Sequence, residues 1–229
     1  MPQADQPHAI RLTFAQRLMV AFMRLFFKLL YHQLAWAYDA VAAMVSLGTW
    51  QKWVQSVLPY LSQDNTLEIG FGTGHLQRAF RHEGIPAFGL DESPQMARIT
   101  RQRLIRSGWR VNIVRGEATH LPFAAQSFTQ LVMTFPSEFV LHPSSPAEIY
   151  RLLTPGGLAV ILPFAWITGR RPWERIIAWV YHITGQAPTW DERILTPLQL
   201  AGFELSSEMV PFPSSKVLIV RLRKPISVV

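Results

Sequence analysis

From Asn65 onward, short apolar runs alternate with stretches of helical pattern, and this alternation constrains the fold of the 229-residue chain more than any other feature. Parallel strands need crossover connections, usually helices, so such alternation builds βαβ units and a parallel sheet covered on both faces. The runs read as strands are Thr66–Ile69, Ala87–Leu90, Val111–Val114, Gln130–Thr134, Leu158–Leu162, Glu204–Val210 and Val217–Leu222. Helices fit at Leu76–His82, Pro94–Ser107, Pro146–Leu153 and Pro197–Ala201, the last ended by Gly202 in a C-cap role. The expected class is therefore α/β, a doubly wound, seven-stranded, mostly parallel sheet.

Residues 1–62 read differently. They are helical in pattern and rich in apolar and aromatic side chains, with no proline between Pro7 and Pro59 and a single glycine, Gly48. This predicts an N-terminal helical cap ahead of one domain over 63–229. The interval between the fifth and sixth strands exceeds what a connection needs, and its residues Trp166–Asp191 read as an inserted helical element.

The run Leu67-Glu68-Ile69-Gly70-Phe71-Gly72-Thr73-Gly74 closes the first strand and opens a helix, so its glycines let backbone pass close to a ligand. Glycine in a tight strand-to-helix turn can also be purely steric. A second observation favours a ligand: Asp91 ends the next strand at about the 20-residue offset where a carboxylate accepts from ribose hydroxyls. The spacing is GxGxG with His75 following, not the GxGxxG of a dinucleotide fold, which disfavours NAD or FAD.

Together with Gly89-Leu90-Asp91-x-Ser93-Pro94-x-Met96, this run resembles the S-adenosylmethionine (SAM) segment of class I, Rossmann-like methyltransferases, of the broad type acting on small molecules, quinones and lipids. Gly116-Glu117-Ala118 followed by Leu121-Pro122-Phe123 is similar to the family's GDA…LPF stretch. Glu148-x-x-Arg151-x-Leu153-x-Pro155-Gly156-Gly157 is similar to its E-x-x-R-x-L-x-P-G-G turn. The resemblance implies that Glu68 orients the methionine end of SAM, that Gly70, Gly72 and Gly74 make room for it, and that Asp91 binds the ribose. It further implies that Glu117, where the family usually has Asp, contacts the adenine amino group, that Ala118 offers backbone to the ring, and that Phe135 lies near the methyl group. Thr129 stands where the family favours Asp, so an ion pair is lost there and local packing is put in question.

Methyl transfer from a sulfonium is an in-line displacement, and positioning can supply much of the acceleration. A general base is needed only if the acceptor loses a proton; Glu138 and His142, just after the fourth strand, are placed to serve. Each also fits a plain loop or surface role. Tyr38, with Asp39 and the earlier Tyr31-His32, sits where related methyltransferases carry an aromatic that closes over the cofactor, and Tyr38 joins the catalytic candidates. Packing on a helix would explain the same aromatics. No metal is expected: Glu138 and His142 are four apart, but no third ligand accompanies them. The absence of cysteine excludes disulfides and a Cys nucleophile.

The chain is 49% hydrophobic but only 16% charged, with a net charge of +7 that attracts polyanions. Between Ile10 and Tyr31 the chain is apolar except for a few polar or basic residues, of which Arg17, Arg24 and Lys28 share a narrow helical stripe. Arg24 and Lys28 interrupt the run short of the ~18–20 apolar residues of a spanning helix, which favours a helix lying on a membrane surface. Packing on the core or on another subunit would serve the same stripe. The insertion mixes Trp166, Trp173, Trp179 and Tyr181 with Arg170, Arg171 and Arg175, as a headgroup region accommodates. These features predict a cytoplasmic enzyme in peripheral contact with anionic membrane, methylating a small lipophilic acceptor and releasing S-adenosylhomocysteine. The alternatives are a soluble-metabolite methyltransferase, a nucleic-acid methyltransferase, and a non-catalytic SAM-binding protein. Phe135-Pro136-Ser137-Glu138 in place of an Asn-Pro-Pro-Tyr-type tetrapeptide disfavours the nucleic-acid reading.

Overall fold

A computed structural model describes residues 37–118, 120–136, 144–183 and 195–226. Its elements, in order, are α1 (Tyr38–Val45), α2 (Trp50–Gln55), a 3-10 turn (Leu58–Tyr60), β1 (Thr66–Ile69), α3 (His75–His82), β2 (Ala87–Asp91), α4 (Pro94–Arg106) and β3 (Ile113–Arg115). There follow β4 (Phe128–Thr134), α5 (Ser145–Leu152), β5 (Leu153–Leu162), β6 (Ala165–Ile167), α6 (Pro172–Ile183), α7 (Thr196–Leu200), β7 (Glu204–Phe212) and β8 (Ser215–Arg223).

The sheet runs β3-β2-β1-β4-β5-β8, with β7 on the far edge of β8. Strands β1 to β5 pair in parallel, and β8 is antiparallel to β5, β6 and β7. This is the doubly wound, mostly parallel architecture expected. The unforeseen strand, β6, continues the line of β5 beyond Pro163-Phe164: β5 takes β8 at Arg223 to Val220, and β6 takes it at Val217 to Ser215. The segment expected to be helical from Trp166 thus begins in a strand, and its helix starts at Pro172.

The central strands carry apolar runs, Leu131–Met133 in β4, Leu158–Leu162 in β5 and Val217–Val220 in β8, because both faces are covered there. Successive side chains alternate between two cores. Leu131, Met133, Ile161, Leu218 and Val220 join the first; Val132, Val160, Leu162, Val217 and Ile219 join the second. The second core also takes Leu76 and Phe80 of α3 together with Trp53, Val54 and Val57 from the N-terminal segment. Trp53 is fully buried and its indole N–H donates to Ser215 Oγ at 2.9 Å. The chain on either side of the boundary expected at 62/63 therefore shares one core. The apolar run 10–31, with Arg17, Arg24 and Lys28, lies outside the described residues.

At Thr129 the hydroxyl donates to the Asn65 carbonyl at 3.0 Å, which holds the start of β4 without an ion pair. The Pro155-Gly156-Gly157 turn is tied to the end of β8: Gly156 N–H donates to Lys224 O and Lys224 N–H to Gly157 O, each at 2.9 Å.

Candidate cofactor site

Strand β1 delivers the glycine loop at its C-terminal end, and the three glycines adopt left-handed backbone at φ +80°, +51° and +79°. They serve different purposes. A Cβ on Gly70 or Gly72 would meet no atom within 4 Å, whereas one on Gly74 would lie 2.6 Å from Thr100 Cγ2. Gly70 and Gly72 face open space; the freedom of Gly74 lets the start of α3 pack against α4.

The loop is held in shape from both sides. Asp91, at the end of β2 and 1% exposed, accepts from Gly72 N–H at 2.8 Å with one carboxylate oxygen and from Ser93 N–H at 2.9 Å with the other. Thr100 Oγ1 donates to Gly72 O at 2.8 Å, so the donor and acceptor of Gly72 are both engaged. Ser93 caps α4 by accepting from Met96 N–H, and Pro94 opens the helix where no backbone donor is needed.

Glu68 lies beneath this loop on β1. It is buried and accepts from Gln77 Nε2–H at 2.8 Å. Burial pushes its carboxyl up to about 8; the Gln77 hydrogen bond partly opposes this, and the negative charge of Asp91 adds to it. At neutral pH Glu68 is therefore mostly protonated. Gln77 Oε1 is buried with no hydrogen-bond partner.

A network invisible in the sequence joins α1 to the loop. Asp39 Oδ1 accepts from Thr73 Oγ1 at 2.6 Å and from His75 Nε2 at 3.0 Å, and its Oδ2 accepts from Arg103 at 2.7 Å. Arg103 also donates to Thr73 O. Burial alone would raise the Asp39 carboxyl, but the hydrogen bonds from His75, Thr73 and Arg103 outweigh it and hold it well below the usual carboxylate range.

Phe135 follows β4 in left-handed backbone at φ +47°, its N–H donating to Leu162 O at 2.7 Å. Its ring stacks on Trp50 at 4.5 Å, and Trp50 meets the edge of Tyr38 at 6.2 Å. Aromatic contact with Tyr38 is thus an observed property of α1, through Trp50. After β3, Gly116 N–H donates to Asp91 O, which sets the following Glu117 and Ala118 beside the end of β2; Glu117 is exposed and Ala118 packs against the first core. The sites predicted at Gly70–Gly74, Asp91, Glu117, Ala118 and Phe135 therefore follow the C-terminal ends of four adjacent strands, the edge at which open α/β sheets bind ligands. Glu138 and His142 lie outside the described residues, as do Tyr31 and His32. Among the described residues no cluster of three or more His, Asp or Glu could hold a metal.

Residues 67–161 match the family model of a methyltransferase domain. This stretch, from β1 through β5, is what the chain shares with methyltransferase domains. Among its relatives, the demethylmenaquinone methyltransferase of Symbiobacterium thermophilum is 28% identical over 163 residues, covering 67% of this chain and 63% of that one. The ubiquinone/menaquinone biosynthesis C-methyltransferase of Bartonella tribocorum is 30% identical over 167 residues, covering 66% of this chain and 63% of that one. The chain thus spans less than two thirds of the length of these relatives. A SAM-dependent methyltransferase structure from Methanosarcina mazei superposes with a TM-score of 0.59 at 18% identity, covering 75% of this chain and 98% of that one. The [4+2]-cyclase SpnF superposes with a TM-score of 0.55 at 19% identity, covering 77% and 80%. These structural likenesses establish the fold.

Two of the methyltransferase motifs prove to be one device. Arg151 and Glu148 pair at 2.8 and 2.9 Å, Arg151 donates to Phe123 O and Leu121 O, and Glu148 accepts from Leu121 N–H at 3.1 Å. The E-x-x-R pair on α5 thereby clamps the Leu121-Pro122-Phe123 backbone.

Proposed function

We propose that this chain is a SAM-dependent methyltransferase acting on a small lipophilic acceptor of the quinone type. The observation carrying the cofactor assignment is the loop after β1: Gly70 and Gly72 are open where a side chain would fill the cradle, and Asp91 and Thr100 hold Gly72 in place. The quinone class is supported by the relatives, whose names assign them to demethylmenaquinone and to ubiquinone/menaquinone biosynthesis. In this reading Glu68 underlies the methionine end, Asp91 takes the ribose, Glu117 the adenine amino group, Ala118 the ring, and Phe135 borders the methyl group.

SAM held by the glycine loop and Asp91 would supply an electrophilic methyl carbon to the acceptor, with S-adenosylhomocysteine as the product. The chain's own contribution is positioning. Asp39 ties α1 to Thr73 and His75 of the loop, while Trp50 supports Phe135 from the N-terminal side. Near-attack geometry held in this way replaces the entropy that two free reactants would lose. A proton released by the acceptor would pass to Glu138 or His142.

Among the described residues no helix is long and apolar enough to cross a membrane. Peripheral contact with anionic lipid, through the apolar N-terminal run and the segment after β6, completes the proposal and gives access to a lipophilic acceptor. A second reading is cofactor binding without methylation; the fold itself does not dictate methyl transfer, since a [4+2]-cyclase shares it.

Calorimetric titration with SAM and S-adenosylhomocysteine tests the cofactor site, alongside Asp91→Ala. Saturable binding, weakened in the variant, followed by S-adenosylhomocysteine production in the presence of a demethylated quinone supports the proposal. No binding by the folded parent would overturn it; binding without turnover on any quinone would favour the second reading.

A further inference from the structure

Surface helices of water-soluble domains turn their apolar stripe toward the core. The first two turns of helix α6 depart from this. Its acid, Glu174, is 4% exposed and faces inward, where its carboxylate accepts from Arg171 N–H at 2.7 Å and from the Ser214 hydroxyl at 2.9 Å. Three large apolar residues face outward instead, Trp173, Ile176 and Trp179, exposed at 53%, 61% and 60%, while Ile177 is half-buried. At about 100° per residue these three fill an arc of about 120° opposite Glu174.

The charge on this surface is of one sign. Arg170, Arg171 and Arg175 are all exposed, and the Arg171 guanidinium lies 5.5 Å from the Trp173 ring. Glu174 is the only carboxylate between Ala165 and Ile183, and both of its oxygens are engaged inside. What remains outward is indole, aliphatic side chain and guanidinium. Indoles settle at the headgroup boundary, and arginines there meet lipid phosphates.

We propose that this face of α6 docks on an anionic phospholipid surface, with Trp173, Ile176 and Trp179 entering the headgroup layer and Arg170, Arg171 and Arg175 on its phosphates. The inference rests on the proposed lipophilic acceptor and adds the surface by which it is reached. Strand β5 runs parallel to β4, β6 extends its line, and α6 follows against β6. The docking face therefore emerges beyond the strand ends that carry the glycine loop and Phe135. An acceptor lying in the bilayer would approach the cofactor from that side.

Flotation of the full chain with phosphatidylcholine vesicles, with and without a third of phosphatidylglycerol, tests the proposal. The variants are Trp173→Ser/Ile176→Ser/Trp179→Ser and Arg170→Gln/Arg171→Gln/Arg175→Gln, with S-adenosylhomocysteine titration as a parallel reading of fold and cofactor site. The parent should float with anionic vesicles. Apolar replacement should reduce partitioning by about tenfold or more, and each arginine removed by about fivefold, with cofactor affinity unchanged. A parent that stays in the bottom fraction overturns the proposal. So does undiminished flotation of the Trp/Ile variant, which would assign contact to another segment such as residues 1–36, or a lipid-independent dimer that this variant abolishes. Flotation without cofactor binding would instead defeat the methyltransferase reading and leave the docking surface standing.

Discussion

Replacing Glu68 with Gln should stabilise the protein at alkaline pH and change little under mild acid. In the folded chain burial lifts this carboxyl from 4.5 to about 8. Between those values the unfolded state has released a proton that the native state retains. The unfolded chain then binds fewer protons, so unfolding free energy falls as pH rises, by at most about 1.4 kcal/mol per pH unit from this group. Across the whole window the loss is on the order of 5 kcal/mol, a large fraction of the ~5–15 kcal/mol typical of a domain. Glutamine keeps an oxygen to accept from Gln77 Nε2–H and has no proton to lose. Urea unfolding of parent and Glu68→Gln at a series of pH values from 5 to 9 measures the difference directly, since other titrating groups cancel between the two proteins. The variant should match the parent near pH 5 and exceed it by several kcal/mol above pH 8. A parent-to-variant difference that stays constant with pH would refute the argument that Glu68 is held neutral by burial.

The glycines of the loop should separate by substitution: Gly70→Ala should cost about 1 kcal/mol of backbone strain and weaken SAM binding, whereas Gly74→Ala should destabilise the fold further, with partial rescue by Thr100→Ser. Thermal unfolding and calorimetry distinguish the two; equal effects on stability would refute the different roles of the two positions. Binding of cationic SAM near Glu68 should favour its ionised form and release protons at pH 7, seen as a buffer-dependent binding enthalpy that Glu68→Gln abolishes. Arg151→Ala should cost about 2–3 kcal/mol in urea unfolding by leaving Glu148 and two carbonyls without their donor. Arg151 holds the Glu148 carboxyl below its usual range, so this pair's contribution is present at neutral pH and is lost as pH falls through the depressed value.

The glycine loop was legible because a tight turn with left-handed backbone restricts residue type at positions adjacent in the chain. Asp91 was legible for a related reason, since it ends the next strand at a fixed offset. Side-chain contacts across long separations left no such trace: Asp39 reaches Arg103 over 64 residues and Trp53 reaches Ser215 over 162. Nothing in the spacing of α1 or α2 marks either partner. Strand β6 escaped because three residues, Ala165-Trp166-Ile167, are too few to show a period of two, and the helix that follows dominates the pattern. Thr100 and Gln77 read as ordinary helical positions, yet one engages the Gly72 carbonyl and the other pairs with Glu68.

The motifs that carry the resemblance to methyltransferases do not all speak to chemistry. Glu148 and Arg151 bind the backbone of Leu121 and Phe123, so two motifs distant in the chain report a single architectural clamp. The glycine loop and Asp91 speak to the cofactor. On the proposed function the reaction depends on what is presented to the cofactor, and α1, α2 and Phe135, joined to the core through Asp39, Trp50 and Trp53, would do that. A cyclase and methyltransferases can share the sheet because the sheet fixes only the first part of this arrangement. On the proposed function, acceptor choice would fall where aromatic side chains from the N-terminal helices meet the end of β4, and changes there should alter acceptor choice before they alter cofactor affinity.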